Sequence, residues 1–419
     1  MCRPNVAVPH RVQPATVEPH GHAERGESRG TARLFASVLA VLLATGWAAN
    51  HFAGLIPALS DHQHLHRTTL DAIFGIYAVG LLPGLLIGGR LSDVLGRQSV
   101  AWAGSITTLA GTVAMLLSLH SPVLLGGRLV VGAGVGLVVS SCTAWASDMK
   151  GPAGAAIAGA VLTAGFAVGP FASGVLASVG QSGLWESFGI AAALVVLATV
   201  VAVVSAQRAD VAAPLSVSGQ KQSTSARPDI ARALSWALPL SPWVYSSATL
   251  AFVTVPTHVH TGLAAPLAAG TAALIANGVS GTTQLVARAR QWGPQAGTAG
   301  TVLAALGYAV TAAAPSTMPL AVALSLLVVL GCASGLLLRE GLIDLEAAAP
   351  QHLRGALTGT FYTVSYIGFG LPMLLSTIGS AKAAATILTV MAVLALATAA
   401  ARAVRLRRNS HRQSEFRPG

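Results

Sequence analysis

GGRLSDVLGRQ, residues 88–98, gathers Arg90, Asp93 and Arg97 into eight positions of a chain in which only 9% of residues are charged. Long apolar runs flank it on both sides. Charge this scarce and this concentrated marks a short polar connection between two membrane-embedded segments, with Gly89 and Gly96 permitting a tight turn. In that turn Asp93 can accept hydrogen bonds from a neighbouring helix N-terminus or from an arginine.

Working outward from this loop, the composition as a whole points to a bilayer. Hydrophobic residues make up 53% of the 419, and the mean hydropathy is +0.67, too apolar to cover a soluble surface. The 45 glycines and 21 prolines recur inside the apolar runs. Helices in lipid tolerate them because neighbouring helices re-satisfy the freed backbone groups. The alternating pattern of an outer-membrane barrel is absent.

Runs near the ~20 apolar residues needed to cross roughly 30 Å of hydrocarbon predict spans at 34–59, 72–89, 100–119, 123–146, 153–177 and 187–204. A second set follows at 234–255, 264–286, 298–314, 318–338, 357–375 and 383–401. The expected fold class is an all-α membrane protein of twelve transmembrane helices in two six-helix bundles, 34–204 and 234–401. Residues 1–33 read as a disordered tail rather than a signal peptide, 205–233 as a polar linker, and 402–419 as a basic tail.

Orientation follows from the basic residues. Of 25 Lys and Arg, with Arg128 set aside inside a span, 22 fall on the side of Arg90 and Arg97, and only Arg67 and Lys382 fall opposite. The asymmetry predicts both termini in the cytoplasm and a multi-pass protein of the plasma membrane. It also accounts for the net charge of +11: the run Arg402, Arg405, Arg407, Arg408 and Arg412 follows a span directly and reads as an anchor on anionic lipid, with no nucleic-acid partner.

The remaining chemistry is sparse. Cys2, Cys142 and Cys332 imply no disulfide framework. His62, His64 and His66 alternate in an outer loop with no Cys beside them, and no metal is assigned there. Paired acids, His-Glu-x-x-His and a Ser/His set are all missing from the spans, so no enzyme is expected. A phosphate-binding Gly-x-x-x-x-Gly-Lys-Ser/Thr is missing too, and no cofactor is expected. Arg339 and Glu340 are sequence neighbours, expected on different helix faces and unpaired.

The run Gly89-Arg-Leu-Ser-Asp93-Val-Leu-Gly96-Arg97 resembles the signature loop of the major facilitator superfamily, Gly-x-Leu-Ala/Ser-Asp-Arg-x-Gly-Arg-Arg/Lys, and departs from it at Val94 and Gln98. The resemblance implies two pseudo-symmetric bundles that rock about a central site. It also implies a gate at Gly89, Asp93, Gly96 and Arg97 that latches the halves shut on the cytoplasmic side. In span 4, Arg128-Leu-Val-Val-Gly132-Ala-Gly134 resembles the superfamily's Arg-x-x-x-Gly-x-Gly. Arg128 is read either as part of proton coupling or as a snorkelling side chain. In span 5, Gly165, Gly169, Pro170 and Gly174 form a small-residue packing face with a bend. That stretch resembles the antiporter motif of the superfamily's exporters, with Ser173-Gly174 where Gly-Gly would end it. A degenerate second loop, Gly281 to Arg290, lacks the acidic residue.

The same resemblance places spans 1, 4, 7 and 10 around the cavity. Candidate substrate contacts are Trp47, Asn50 and His51 on span 1, Tyr245 and Thr249 on span 7, and Tyr362 and Tyr366 on span 11; for each aromatic, ordinary helix packing is the alternative. His51, the only histidine inside a span, is the candidate proton carrier, with a satisfied structural histidine as the alternative. The expected function is proton-coupled export of small apolar or amphiphilic compounds, drug or metabolite efflux, by a monomer in the lipid bilayer. Uptake of a metabolite or sugar by the same fold, and a non-transporting membrane sensor, are the alternatives.

Overall fold

The computed structural model describes residues 21–210, 230–314, 317–350 and 354–415, and every regular element among them is helical. The first half comprises α1 (Gly21–Asn50), α2 (Phe52–Gln63), α3 (Arg67–Leu95), α4 (Arg97–Leu117), α5 (Ser121–Ala177) and α6 (Gln181–Asp210). The second comprises α7 (Ile230–Ala237), α8 (Ser241–Thr249), α9 (Ala265–Ala289), α10 (Gln295–Ala313), α11 (Leu320–Ala348), α12 (Arg354–Tyr366), α13 (Leu371–Thr377) and α14 (Ala381–Glu415). The helices overrun the expected boundaries. α1 begins inside the expected tail 1–33, α6 runs into the expected linker 205–233, and α14 passes through most of the expected tail 402–419. Once nucleated, a helix elongates cheaply past the apolar stretch that seeded it. Residues 1–20 and 211–229 lie outside the described residues.

Nine helical segments among the described residues are long and apolar enough to cross a membrane. The chain is therefore a multi-pass integral membrane protein. Three further expected spans are not among the nine, each for a readable reason. Span 7 is divided into α8, a π turn at Leu250–Thr254 and a 3-10 turn at Val255–His258. Pro256, which has no N–H, follows directly after the residue that closes the π turn, Val255 N–H to Leu250 O. Span 11 is divided by a 3-10 turn, Ile367–Gly370, ahead of Pro372. α9 is unbroken, but Asn277, Ser280, Thr282, Thr283 and Gln284 dilute its hydropathy.

Two tight reversals depend on glycine backbones. Gly96 has φ +90°, which lets α3 turn directly into α4. At Lys150–Gly151, where Gly151 has φ +61°, the long α5 folds into two antiparallel spans.

The halves meet along two seams. The second span of α5 lies against α9, and α3 lies against α12, α13 and the 3-10 turn between them. At the first seam the backbones nearly touch: a Cβ on Gly270 would sit 2.5 Å from Pro170 O. One apolar core runs through both halves, joining Phe52, Leu70, Phe74 and Tyr77 to Phe252, Tyr308, Phe361 and Phe369. A second core, around Phe35, Val38, Ala101, Trp145 and Val195, belongs to the first half alone, at the end that carries Arg97.

Candidate functional site

The described aromatic side chains converge where α3 faces the broken spans 7 and 11. Tyr245 lies 4.5 Å from Tyr366 and 5.4 Å from Phe369, centroid to centroid. Phe74 stacks on Phe369 at 5.2 Å with 16° between planes, and Tyr77 and Phe252 complete the group. Tyr362 joins its edge through Tyr366 at 6.3 Å. Pairs of this geometry contribute about 0.5–1.5 kcal/mol each beyond area burial, so the cluster is also part of what holds the halves together. Three of the residues picked from sequence, Tyr245, Tyr362 and Tyr366, are brought together here. Thr249 stands behind them, fully buried, with its hydroxyl donating to Tyr245 O and to Gly368 O at 2.9 and 3.0 Å.

The span 1 candidates lie elsewhere. Pro170 has no N–H for its α-helical acceptor, Phe166 O. Asn50 Nδ2 donates to that carbonyl at 2.8 Å, and Asn277 Nδ2, from the other half, approaches it at 3.4 Å. Gly368 O is freed in the same way by Pro372 and takes the Thr249 hydroxyl together with Leu371 N–H. Gly165 and Gly169 lie against the α1 backbone at Gly46 and Trp47, and Gly174 lies against Pro266 and Gly270. Trp47, Asn50 and Gly54 therefore face α5. His51 turns instead toward α6, its ring edge-on to Phe188 at 5.2 Å. Its Nδ1 lies 3.0 Å from Ala48 O, and because a carbonyl only accepts, Nδ1 carries the hydrogen. Nε2 has no partner.

Arg128 is fully buried between α1 and α3. Nη1 donates to Ala49 O at 2.7 Å and Nη2 to Phe74 O at 3.5 Å. The rings of Tyr77, Phe52 and Phe74 surround the guanidinium at 4.5, 5.1 and 6.0 Å. Snorkelling is thereby excluded, since the head group reaches no surface.

The two ends of the molecule differ. At one end Arg97 donates to Asp93 at 2.5 Å, to Ser92 at 2.7 Å and to Asp148 at 2.9 Å. All these partners belong to the first half, so the loop ties α3 and α4 to α5 and does not bridge the halves in this structure. Gly89 has open space around it. The charges are largely exposed, and each pair contributes about 0–1 kcal/mol. At the opposite end Arg67 pairs with Asp71 at 3.1 Å and donates to Val253 O at 2.9 Å, linking α3 to span 7. Asp71 is buried.

In the second half, beside the degenerate loop, Arg402 from α14 pairs with Asp344 at 2.6 Å and donates to Pro294 O at 3.1 Å. It thus supplies from another helix the tie that the loop's own sequence lacks. Arg339 and Glu340, expected to be unpaired, do form an ion pair: the long arginine folds back along its helix to a carboxylate already buried beside Arg402.

Sequence reasoning missed Phe74, Tyr77, Phe252, Phe369, Asn277 and the Arg67–Asp71 pair. Phe74 and Tyr77 stand at i, i+3, as do Tyr366 and Phe369, so a helical stripe was present in both. The choice of spans to inspect passed over α3. Asp71 looked like an ordinary span-end residue because burial by the other half is not visible in local sequence.

Comparison with known proteins places this geometry. Over 124 residues the chain is 28% identical to the 3-(3-hydroxy-phenyl)propionate transporter of Escherichia coli (strain K12), covering 29% of this chain and 30% of that one. Over 118 residues it is 28% identical to the arabinose-proton symporter of the same strain, covering 28% and 25%. The chain thus matches less than a third of the length of these relatives. Its fold is similar to that of a crystal structure of the peptide transporter POT in complex with sulfate, with a TM-score of 0.72, 15% identity, and coverage of 91% of this chain and 94% of that one. None of the three is named as an exporter. These matches overturn the expectation of efflux, and the stretch that suggested it, Gly165 to Gly174, serves close helix packing on both of its faces. The family model described as Major Facilitator Superfamily matches residues 36–373. Its membership implies transport of a small molecule across the bilayer and no enzymatic reaction, and the chain belongs to the major facilitator superfamily.

Proposed function

We propose that this protein is an uptake permease, a secondary carrier that brings a small solute into the cell by alternating access with protons as the coupling ion. The observation that carries the reading is the asymmetry of its ties. Arg67, held by Asp71, joins the halves through Val253 O at one end, whereas the Arg97 network closes within the first half at the other. A carrier caught with one mouth sealed has this arrangement. The proposed topology is twelve crossings in two bundles, 34–204 and 234–401, with the two broken spans and α9 completing the count. Both termini and the Arg-rich end are placed in the cytoplasm of a plasma-membrane protein, so the sealed mouth faces outward. A single copy contains the whole chamber, whose walls are Tyr245, Tyr362 and Tyr366 with Phe74, Tyr77 and Phe369.

Gly96 and Arg97 with Asp93 form the cytoplasmic hinge and tie. His51, with Nε2 free, is the proposed proton carrier next to Arg128, and Asp71 is a second protonatable group at the outer tie. The names of the relatives span a sugar, an aromatic acid and a peptide, and they support a solute carrier without choosing the solute. The test uses purified full-length protein in liposomes with an inward proton gradient and labelled arabinose, 3-phenylpropionate and dialanine. Accumulation of at least one solute that collapses with an uncoupler is expected. Gradient-driven accumulation only when the gradient is reversed, as an exporter would give, refutes the proposal.

A further inference from the structure

We propose that the solute is a monocarboxylate with an aromatic body, its carboxylate received by Arg128 and its ring by the aromatic cluster between the halves. Only the direction of movement in this statement rests on the uptake reading.

The argument begins with charge. Among the described residues, no carboxylate lies within ion-pair distance of Arg128, which is fully buried. Two backbone carbonyls and three ring faces contact its guanidinium. Among the described residues the other buried arginine, Arg402, pairs with an acid, and so do the less buried Arg67, Arg97 and Arg339. A cation removed from water without a counter-charge is retained at high cost unless function requires it.

Two orphaned polar atoms lie here: Arg128 Nε and Tyr77 Oη are buried without a hydrogen-bond partner, as is Nε2 of the nearby His51. Tyr77 presents its ring to the guanidinium, and His51 stands between Ala49 and Phe52, both of which touch Arg128. Nε–H of Arg128 and the Tyr77 hydroxyl are donors awaiting an acceptor, and a carboxylate offers two oxygens to a planar guanidinium.

Tyr77 and Phe74 stand between Arg128 and the second half, and Phe74 stacks on Phe369. Separation of α3 from the 3-10 turn at Ile367–Gly370 opens a gap beside Phe74 and Tyr77, and a turn of those two side chains then gives access to the cation behind them. An aromatic acid matches both features at once. A sugar needs several free amide or carboxylate partners, yet Asn50 and Asn277 are committed to Phe166 O. A zwitterionic peptide needs an acid for its amine, and among the described residues no carboxylate is within ion-pair distance of Arg128 to hold an amine beside it.

The experiment measures binding to the purified full-length protein by tryptophan fluorescence, using benzoate, phenylacetate and 3-phenylpropionate, each beside its neutral primary amide. At least one acid is expected to bind more tightly than its amide by at least about tenfold. Arg128→Met preserves bulk and removes the charge. It is expected to abolish that preference without lowering the melting temperature, since it relieves an unpaired buried cation. Equal binding of acid and amide, no binding of any acid, or an Arg128→Met protein that keeps the preference overturns the proposal. If an acid binds preferentially but no gradient drives its uptake, the uptake reading fails and this site stands. If arabinose or dialanine accumulates while no acid binds or competes, the site fails and uptake stands.

Discussion

Asn50→Ala should weaken the fold in proportion to one specific debt, the carbonyl that Pro170 leaves without its helical donor. In the wild type Phe166 O receives Asn50 Nδ2 at 2.8 Å and, more weakly, Asn277 Nδ2 at 3.4 Å. Leaving a buried acceptor unmet costs about 1–3 kcal/mol. Because Asn277 remains in reach, the expected loss is at the lower end, about 1–2 kcal/mol. Pro170→Ala returns an N–H to the helix, so the same Asn50→Ala change in that background should cost close to nothing. The cycle therefore predicts a coupling of about 1 kcal/mol between residues on different spans. Unfolding free energy in mixed detergent micelles, followed by tryptophan fluorescence, measures all four corners. Equal cost in both backgrounds refutes the reasoning and returns Asn50 to the list of substrate contacts, where its loss would appear in transport affinity instead.

Arg402→Ala strips the cation from Glu340 and Asp344 and releases Pro294 O; the same unfolding assay should register a loss of about 3–5 kcal/mol, with Arg402→Lys clearly milder. Gly96→Ala meets no atom within 4 Å but must adopt φ +90°, so its cost is backbone strain alone, about 1–3 kcal/mol, and Gly96→Ser should match it. Arg67→Ala removes the tie to Val253 O. A cysteine placed at Ser376, behind that tie, should then react faster with a membrane-impermeant maleimide, and an unchanged rate would mean that Arg67 does not hold the outer mouth.

The helical membrane architecture was legible because a bilayer imposes one strong rule, uninterrupted apolar length, and most of the chain obeys it. The exceptions fall where proline makes helices irregular. Pro256 and Pro372 break spans 7 and 11 into pieces whose apolar count is sufficient but whose backbone is not continuous. The tyrosines of the chamber could be picked out because aromatic residues at i, i+4 stand out on one helix. Their partners Phe74, Tyr77 and Phe369 carried a similar stripe at i, i+3 but were passed over with α3, since the contacts that single them out cross between halves. Arg128 was recognisable from its motif, but the absence of a counter-ion is a three-dimensional fact. The efflux expectation shows the converse hazard, a motif whose glycines are required by packing and therefore carry little about direction.

The irregular backbone and the chamber coincide for a physical reason. A regular helix satisfies every interior carbonyl by itself and has little reason to prefer one neighbour over another. Pro170 frees a carbonyl that Asn50 and Asn277 from other spans must meet, whereas the carbonyl freed by Pro372 takes Leu371 N–H and gains the Thr249 hydroxyl besides. Those bonds are worth about 1 kcal/mol apiece, strong enough to set the register of the seams. They are also weak enough to be exchanged when the halves move. The aromatic rings beside them slide on flat faces without leaving polar groups unmet, and Arg67 closes the end through a carbonyl in the π turn of span 7. The part of the structure that looks least regular is thus where the two halves can part at least cost, and it lies beside the fully buried Arg128.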